Sequence, residues 1–449
     1  MATITRETVD AQNATVKISI TPQDYEPLVS ESLKKLSKKA EIKGFRKGLV
    51  PVGHIKKLYG NEVLAEELHN LINKELTKYL TENKIEILGS PLPHENGGKQ
   101  QLEINEKKSY EFAFDLGLNP MIEVTALNPE TKVTRYIVKI DDKAIDKEIE
   151  YTRNRYGEMT NADDGLKKGD ILFVQFIELD ESGNVKEGGV QNSVPVPLSR
   201  FKDDVKEKWM GRKPGESIDV ELMKSLDSDE EEIIHYYLNL KEHRVVNKIF
   251  RITLEKINRI HPAELNQQLF DKLFGEGQVK TVEELRERVK KELEEAYQKE
   301  SEQLLNRHIV DTFIERTNVQ LPDEFLKRWL QHSSEKPIAR EQVEHEYSGF
   351  ARSLKWSLIS NKIKKDNNIA VTADDMKAHT QQIIRNYYGL PDNDDSNRML
   401  AGLADEMLKK EDHVKRAYEE LSDRKILEFI KSKITLIDKE VTAEEFGKL

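Results

Sequence analysis

A third of the residues in this chain are charged, more than one compact globule can arrange around a single core. The fraction is 34% and the mean hydropathy −0.68, against about a quarter charged in ordinary globular domains. Chains so rich in solvated surface fold as elongated, helix-rich molecules with thin cores, and 449 residues divide into roughly two to four domains. Cysteine is absent, which excludes disulfide staples, thiolate zinc sites and cysteine nucleophiles together. No run of about 18 apolar residues occurs, and the start, Met1 to Glu7, carries no apolar signal-peptide core. The expectation is a soluble, cytoplasmic protein without a membrane partner.

The most specific local signal is the loop Gly44-Phe45-Arg46-Lys47-Gly48-Leu49-Val50-Pro51 between two helix-like segments. Its glycines permit a sharp, projecting tip, and Pro51 suits the first turn of the following helix. A Phe at such a tip is read as a contact residue, because burial in its own fold is not available to it there. The chain has 71 basic and 82 acidic residues, a net charge of −11. Within residues 33–59, however, lie Lys34, Lys35, Lys38, Lys39, Lys43, Arg46, Lys47, Lys56 and Lys57, with Glu41 as the sole acid. Nine cations less one anion leave that segment at +8. One cationic segment on an acidic protein suits docking on phosphate-rich RNA while the remaining surface is repelled. The alternative is that these lysines merely solvate two amphipathic helices.

The octapeptide resembles the ribosome-docking signature of the trigger factor family, Gly-Phe-Arg-x-Gly-x-x-Pro, matched by Gly44, Phe45, Arg46, Gly48 and Pro51. Many members carry a basic residue where this chain has Leu49. Around the loop, Val16, Ile18 and Ile20 alternate as in a half-buried strand. Thr21-Pro22-Gln23-Asp24 opens a helix with Leu28, Leu33 and Leu36 on its apolar side. A second helix is expected over Asn61–Leu80, ended by Gly89 to Pro93. Strands are expected at Leu102/Ile104 and at Tyr110 to Leu116. This order is similar to the family's ribosome-binding domain, placed at 1–118. Residues 119–150 read as a linker with a strand at Tyr136/Val138/Ile140 and a helix capped by Asp141.

Residues 151–258 carry short strands and turns: Gly169 to Phe176, the hairpin turn Asp180 to Asn184, Gly188-Gly189, Gly211 to Ser217, and Ile249 to Leu254. They resemble the FK506-binding-protein-type prolyl isomerase domain of the family. Active members use an apolar, aromatic-lined pocket to desolvate the X–Pro bond. Here the corresponding stretch, Ser199 to Glu207, is charged and lacks the Pro-Gly turn, and an acidic run, Asp227 to Glu232, interrupts the last strand region. Phe176, Phe201 and Trp209 are the remaining candidates for a catalytic pocket. A non-catalytic domain kept for shape or substrate contact is the favoured reading; a working prolyl isomerase is the alternative.

From 259 to 449 the pattern is helical, with His261 to Leu265 opening the first piece. Capping boxes are expected at Thr281–Glu284, Thr372–Asp375 and Thr442–Glu445, and a helix start at Leu321 to Glu324. Pro262, Pro322, Pro337 and Pro391 interrupt the pattern too often for one coiled-coil rod. No Gly-x-x-x-x-Gly-Lys-Ser/Thr, complete dinucleotide fingerprint or His-Glu-x-x-His occurs. Asp392 to Asn397 lacks the turn glycine and the bidentate Glu of a calcium loop, Leu403 standing at that place. No metal or cofactor is expected.

The expected fold is therefore multidomain α+β: an amino-terminal α+β domain, an inserted FKBP-like β-rich domain, and an all-α carboxy-terminal domain with arms. The resemblance implies an ATP-independent chaperone that docks at the tunnel exit of the large ribosomal subunit, against ribosomal protein and rRNA. It would shield nascent and unfolded polypeptides, assisting folding and export, and would have the option of a homodimer off the ribosome. Candidate client-binding residues are Phe325, Trp329, Phe350, Trp356, Tyr387 and Tyr388, each with core packing as the alternative. A helical scaffold without a ribosomal role is the remaining alternative.

Overall fold

The computed structural model describes residues 2–43, 45–46, 48–94, 102–241, 248–333 and 338–449. The chain forms two compact units. One combines Met1–Arg135 with Glu302–Asp438, the other Tyr136–Ser301 with Lys439–Leu449.

The first unit begins with a four-stranded antiparallel sheet in the order Thr3–Thr8, Asn13–Ile20, Tyr110–Leu118, Ile87–Pro93. The alternation at Val16, Ile18 and Ile20 puts all three side chains fully inside, opposite Phe114, Phe112 and Tyr110 across the ladder. Helix Pro22–Lys39 starts where expected: the Thr21 N–H donates to the Asp24 carboxylate at 2.9 Å. Its buried face is Tyr25, Val29 and Leu33, while Leu28 faces solvent and Leu36 is half-buried. The four-residue spacing from Tyr25 sets the buried stripe, and Leu28 lies about 100° off it.

The second helix runs Val52–Glu82, nine residues earlier than its apolar repeat suggests. Its first two turns bury only Ile55 and expose Lys57 and Leu58, so they carry no stripe to read. Residues Leu102 and Ile104 are not a strand. They pack against the domain core from a loop. The fourth strand is instead Ile87–Pro93, read from sequence as a helix-ending loop. Prolines are tolerated there because it is an edge strand, and its register slips between Leu88 and Leu92.

Most of the rest of this unit is helical: Asp323–Ser333, Arg340–Asp366, Ala373–Tyr388, Asp394–Met407 and Glu411–Lys431, with the segment from Glu302 of helix Val282–Arg316, while strands Lys132–Lys139 and Thr435–Thr442 begin within it. Leu305, Ile309, Phe313, Ile359, Ile426 and Ile430 form its core. The capping box at Thr372–Asp375 is present, the Asp375 N–H donating to the Thr372 hydroxyl at 3.1 Å.

The second unit holds a five-stranded antiparallel sheet. Its long strand Ile249–His261 pairs with Glu158–Asn161, Ile171–Glu178 and Ser217–Glu221, and Gln191–Pro197 pairs with Ile171–Glu178. That strand extends through His261, so the helix expected to open at His261 begins only at Gln267, capped by Asn266. Pairing with Glu158–Asn161 holds these residues extended despite the helix formers that follow. The turn at Asp180 closes through an Asp180 N–H to Asn184 carbonyl bond of 2.8 Å. Helices Asp142–Arg155, Gln267–Phe274 and the first part of Val282–Arg316 surround a separate small core of Ile145, Ile149, Phe270, Leu285 and Val289. At Thr281 the box differs in one detail: Glu284 accepts from the Lys280 N–H at 2.7 Å, not from that of Thr281.

Candidate functional site

Phe45 and Arg46 lie on the loop between helices Pro22–Lys39 and Val52–Glu82. Two successive turns shape it, the Phe45 N–H donating to the Ile42 carbonyl (3.0 Å) and the Leu49 N–H to the Arg46 carbonyl (2.9 Å). Gly48 has φ +82°, a conformation that side chains disfavour. Val50 and Ile55 are buried and tie the loop's end into the domain core. Pro51 is the residue just before the helix rather than inside its first turn. The Phe45 ring is 39% exposed and sits 5.0 Å from the His54 ring, tilted by 44°. Gly44 and Lys47 lie outside the described residues.

The cations of this segment are largely uncompensated. Lys35 pairs with Glu31 at 2.7 Å. Among the described residues no acidic partner is found for Lys34, Lys38, Lys39, Lys43, Arg46, Lys56 or Lys57. All of these but Lys56 are exposed. Exposed cations without an acidic partner keep their attraction for an anionic polymer. Further apolar side chains following Phe45 in sequence are exposed, which the sequence reading missed. Leu49 is 69% exposed, and Val52 and Tyr59, seven residues apart and so on one side of the helix, are exposed as well.

In the second unit, Phe176, Phe201 and Trp209 are each 0% exposed. Phe176 meets Tyr237 edge-on at 6.0 Å, and Phe201 lies 6.1 Å from Trp209. The three rings are interior packing of the sheet domain. The charged stretch after Ser199 makes the short helix Asp203–Trp209, which turns Val205 and Trp209 inward.

The six aromatic residues of the helical region separate into two groups. Phe325 is 4% exposed, and a Cβ added at Gly117 would stand 2.5 Å from its ring. Trp329 covers Gly89, which has φ +74°, and its Nε1–H donates to the Ser90 hydroxyl at 3.1 Å. Phe350 and Trp356 are half-buried against the same core. Between Phe325 and Trp329, Arg328 donates to Asp115 at 3.0 Å, and His94 and Thr15 bond the same carboxylate at 2.7 and 3.1 Å. Burial alone would raise the Asp115 pKa, but the hydrogen bonds from His94, Arg328 and Thr15 outweigh it and hold the group below the usual carboxylate range. Helix Asp323–Ser333 is thus fastened to the amino-terminal sheet through two of the residues proposed for clients. Tyr387 and Tyr388 differ: they are 81% and 65% exposed at the end of helix Ala373–Tyr388. Ile383 on that helix and Met399 and Leu403 on the next are exposed as well, which the sequence reading did not single out.

The second unit also holds a cavity of about 520 Å³, whose lining includes Ile149, Leu269, Phe274 and Leu285 beside the charged Glu148, Arg153, Arg288 and Glu292. No described helix is long and apolar enough to cross a membrane.

Three family models together match all of the chain except residues 1, 153–158 and 263–300. They are the bacterial trigger factor protein over 2–152, the probable trigger factor FKBP-like domain over 159–262, and the probable trigger factor C-terminal domain over 301–449. The chain belongs to the trigger factor family. The trigger factor of Chloroherpeton thalassium is 26% identical over 383 residues, 81% of this chain and 83% of its own length. That of Bartonella tribocorum is 24% identical over 451 residues, 96% of this chain and 89% of its own length. A solved trigger factor chaperone aligns over 95% of this chain and 98% of its own at 15% identity, with a TM-score of 0.45, too low for the superposition to support anything further. As a trigger factor the chain is a ribosome-associated chaperone that meets nascent chains.

Proposed function

We propose that this trigger factor docks beside the tunnel exit of the large ribosomal subunit through Phe45, Arg46 and Lys47, with Gly44, Gly48 and Pro51 shaping the tip. The observation that supports this most is the half-exposed Phe45 ring within a segment of net charge +8. Phosphate contacts by the cations supply most of the affinity, and Phe45 with Leu49 supplies an apolar contact to ribosomal protein. The working division is docking over 1–118, linker over 119–150, the FKBP-like domain over 151–258 and the client-holding helices over 259–449. Clients meet the exposed patch around Tyr387 and Tyr388, and release needs no nucleotide. The cytoplasm is where such a task lies.

Replacing Phe45, Arg46 and Lys47 by Ala and measuring co-sedimentation with 70S ribosomes tests the docking. Binding should fall by at least about tenfold, and wild-type binding should weaken steeply with salt. Unchanged binding would remove the loop from the interface.

For the central domain we propose substrate contact without isomerisation, because the three aromatic residues left from the catalytic framework have no face to offer an X–Pro segment. A protease-coupled proline-peptide assay at micromolar protein should read background. A rate well above background would restore the isomerase reading.

A further inference from the structure

We propose that His54 is a positioning residue for docking: its imidazole holds the Phe45 ring in the orientation that meets the ribosome. This rests on the docking reading above and extends it to a residue outside the loop signature. His54 lies in the first turn of helix Val52–Glu82, where its N–H bonds the Pro51 carbonyl at 2.9 Å. The neighbouring Ile55 is fully buried and Val50 nearly so, so the backbone that carries His54 is anchored in the domain core. Phe45 itself lies on the loop bracketed by glycines, where, among the described residues, a turn hydrogen bond to Ile42 holds its backbone.

The ring that Phe45 does meet is that of His54, with centroids 5.0 Å apart and planes inclined at 44°. That separation is within the range of favourable aromatic pairs. A tip ring free to rotate must be ordered on docking, and ordering it beforehand transfers that loss out of the binding step. His54 is itself only half-exposed while Phe45 remains 39% exposed, so contact with His54 leaves part of the phenylalanine accessible to a partner.

Ribosome affinity decides the matter, measured for the full-length chain and for His54→Ala, Phe45→Ala and the double variant, with thermal melting of each. His54→Ala should weaken binding about three- to tenfold and leave melting unchanged. In the Phe45→Ala background the same substitution should have no further effect, because the ring it orients is gone. His54→Phe should keep wild-type affinity, since it keeps an aromatic ring at that position and removes only the ring nitrogens. Full affinity in His54→Ala, additive losses in the double variant, or a loss of affinity in His54→Phe would each overturn the proposal. Should Phe45→Ala itself bind normally, the docking reading falls and this inference falls with it. If it weakens binding while His54→Ala does not, docking stands and only the positioning role is lost.

Discussion

Phe45 and Phe325 make an instructive pair within the first unit. Each has a glycine for company, Phe45 in its own loop and Phe325, on helix Asp323–Ser333, across the fold, and both are aromatic residues a chaperone could present to a partner. Phe325 is nearly sealed, because Gly117 in the strand Tyr110–Leu118 offers a bare backbone against which its ring fits. Phe45 has its glycine within its own loop, where the absent side chain gives the backbone freedom and makes no receptacle. A glycine across the fold buries an aromatic ring; a glycine beside it in sequence projects one. The first is a packing relation and the second a conformational one.

That contrast can be broken most forcefully at Phe325. Phe325→Ala should lower the stability of the first unit by about 3–5 kcal/mol, as for other large buried aromatics, read as a lower denaturant midpoint. A loss below about 1 kcal/mol would mean that helix Asp323–Ser333 is not fastened by this ring. Gly117→Ala should act in the same direction at about 1–3 kcal/mol by overpacking, since its new methyl group has nowhere to go.

A smaller effect is expected at the charged centre of the same contact. Arg328→Ala should destabilise by about 1–3 kcal/mol by removing a charge-assisted bond to a mostly buried carboxylate. The pH response has a definite sign. The folded Asp115 pKa lies below its usual value, so its contribution is fully present above about pH 4 and is lost as pH falls through the depressed folded value. Asp115→Asn should flatten the stability-against-pH curve below about pH 4. An unchanged acid limb would place the acid sensitivity elsewhere.

The mildest expectation concerns a cap in the helical region. Thr372 caps helix Ala373–Tyr388, and Asp375 closes the box; Lys425 first, then the Thr372 backbone and hydroxyl, lower the Asp375 pKa to about 2. Thr372→Ala should reduce stability by about 1 kcal/mol and leave ribosome affinity untouched, which makes it a control for variants of the loop.

How much of this was legible in the sequence follows from the range of the forces involved. Strands Asn13–Ile20 and Tyr110–Leu118 and the caps at Thr21, Asp141, Thr372 and Thr442 are set by neighbours two to four residues away, and local periodicity reveals them. The composition of the candidate loop was legible for the same reason: the glycines, the ring and the cations are contiguous. Edge strand Ile87–Pro93 was not, because only one side of it must be hydrogen-bonded and its glycine and prolines look like a break. The burial of Phe325 and Trp329 depends on Gly117 and Gly89, more than 200 residues earlier in the chain, and no local pattern carries that information. The exposure of Val52 and Tyr59 was missed because both read as ordinary apolar residues until the helix start at Val52 placed them outside.

The central claim is that the ring at the loop tip serves an external partner while the ring at Gly117 serves the fold. Its most direct test is the dissociation constant of full-length Phe45→Ala for 70S ribosomes, measured beside the denaturant midpoint of the same variant. Affinity should fall by about tenfold or more with stability within about 0.5 kcal/mol of wild type. Wild-type affinity, or a loss of affinity that accompanies an equal loss of stability, would contradict it.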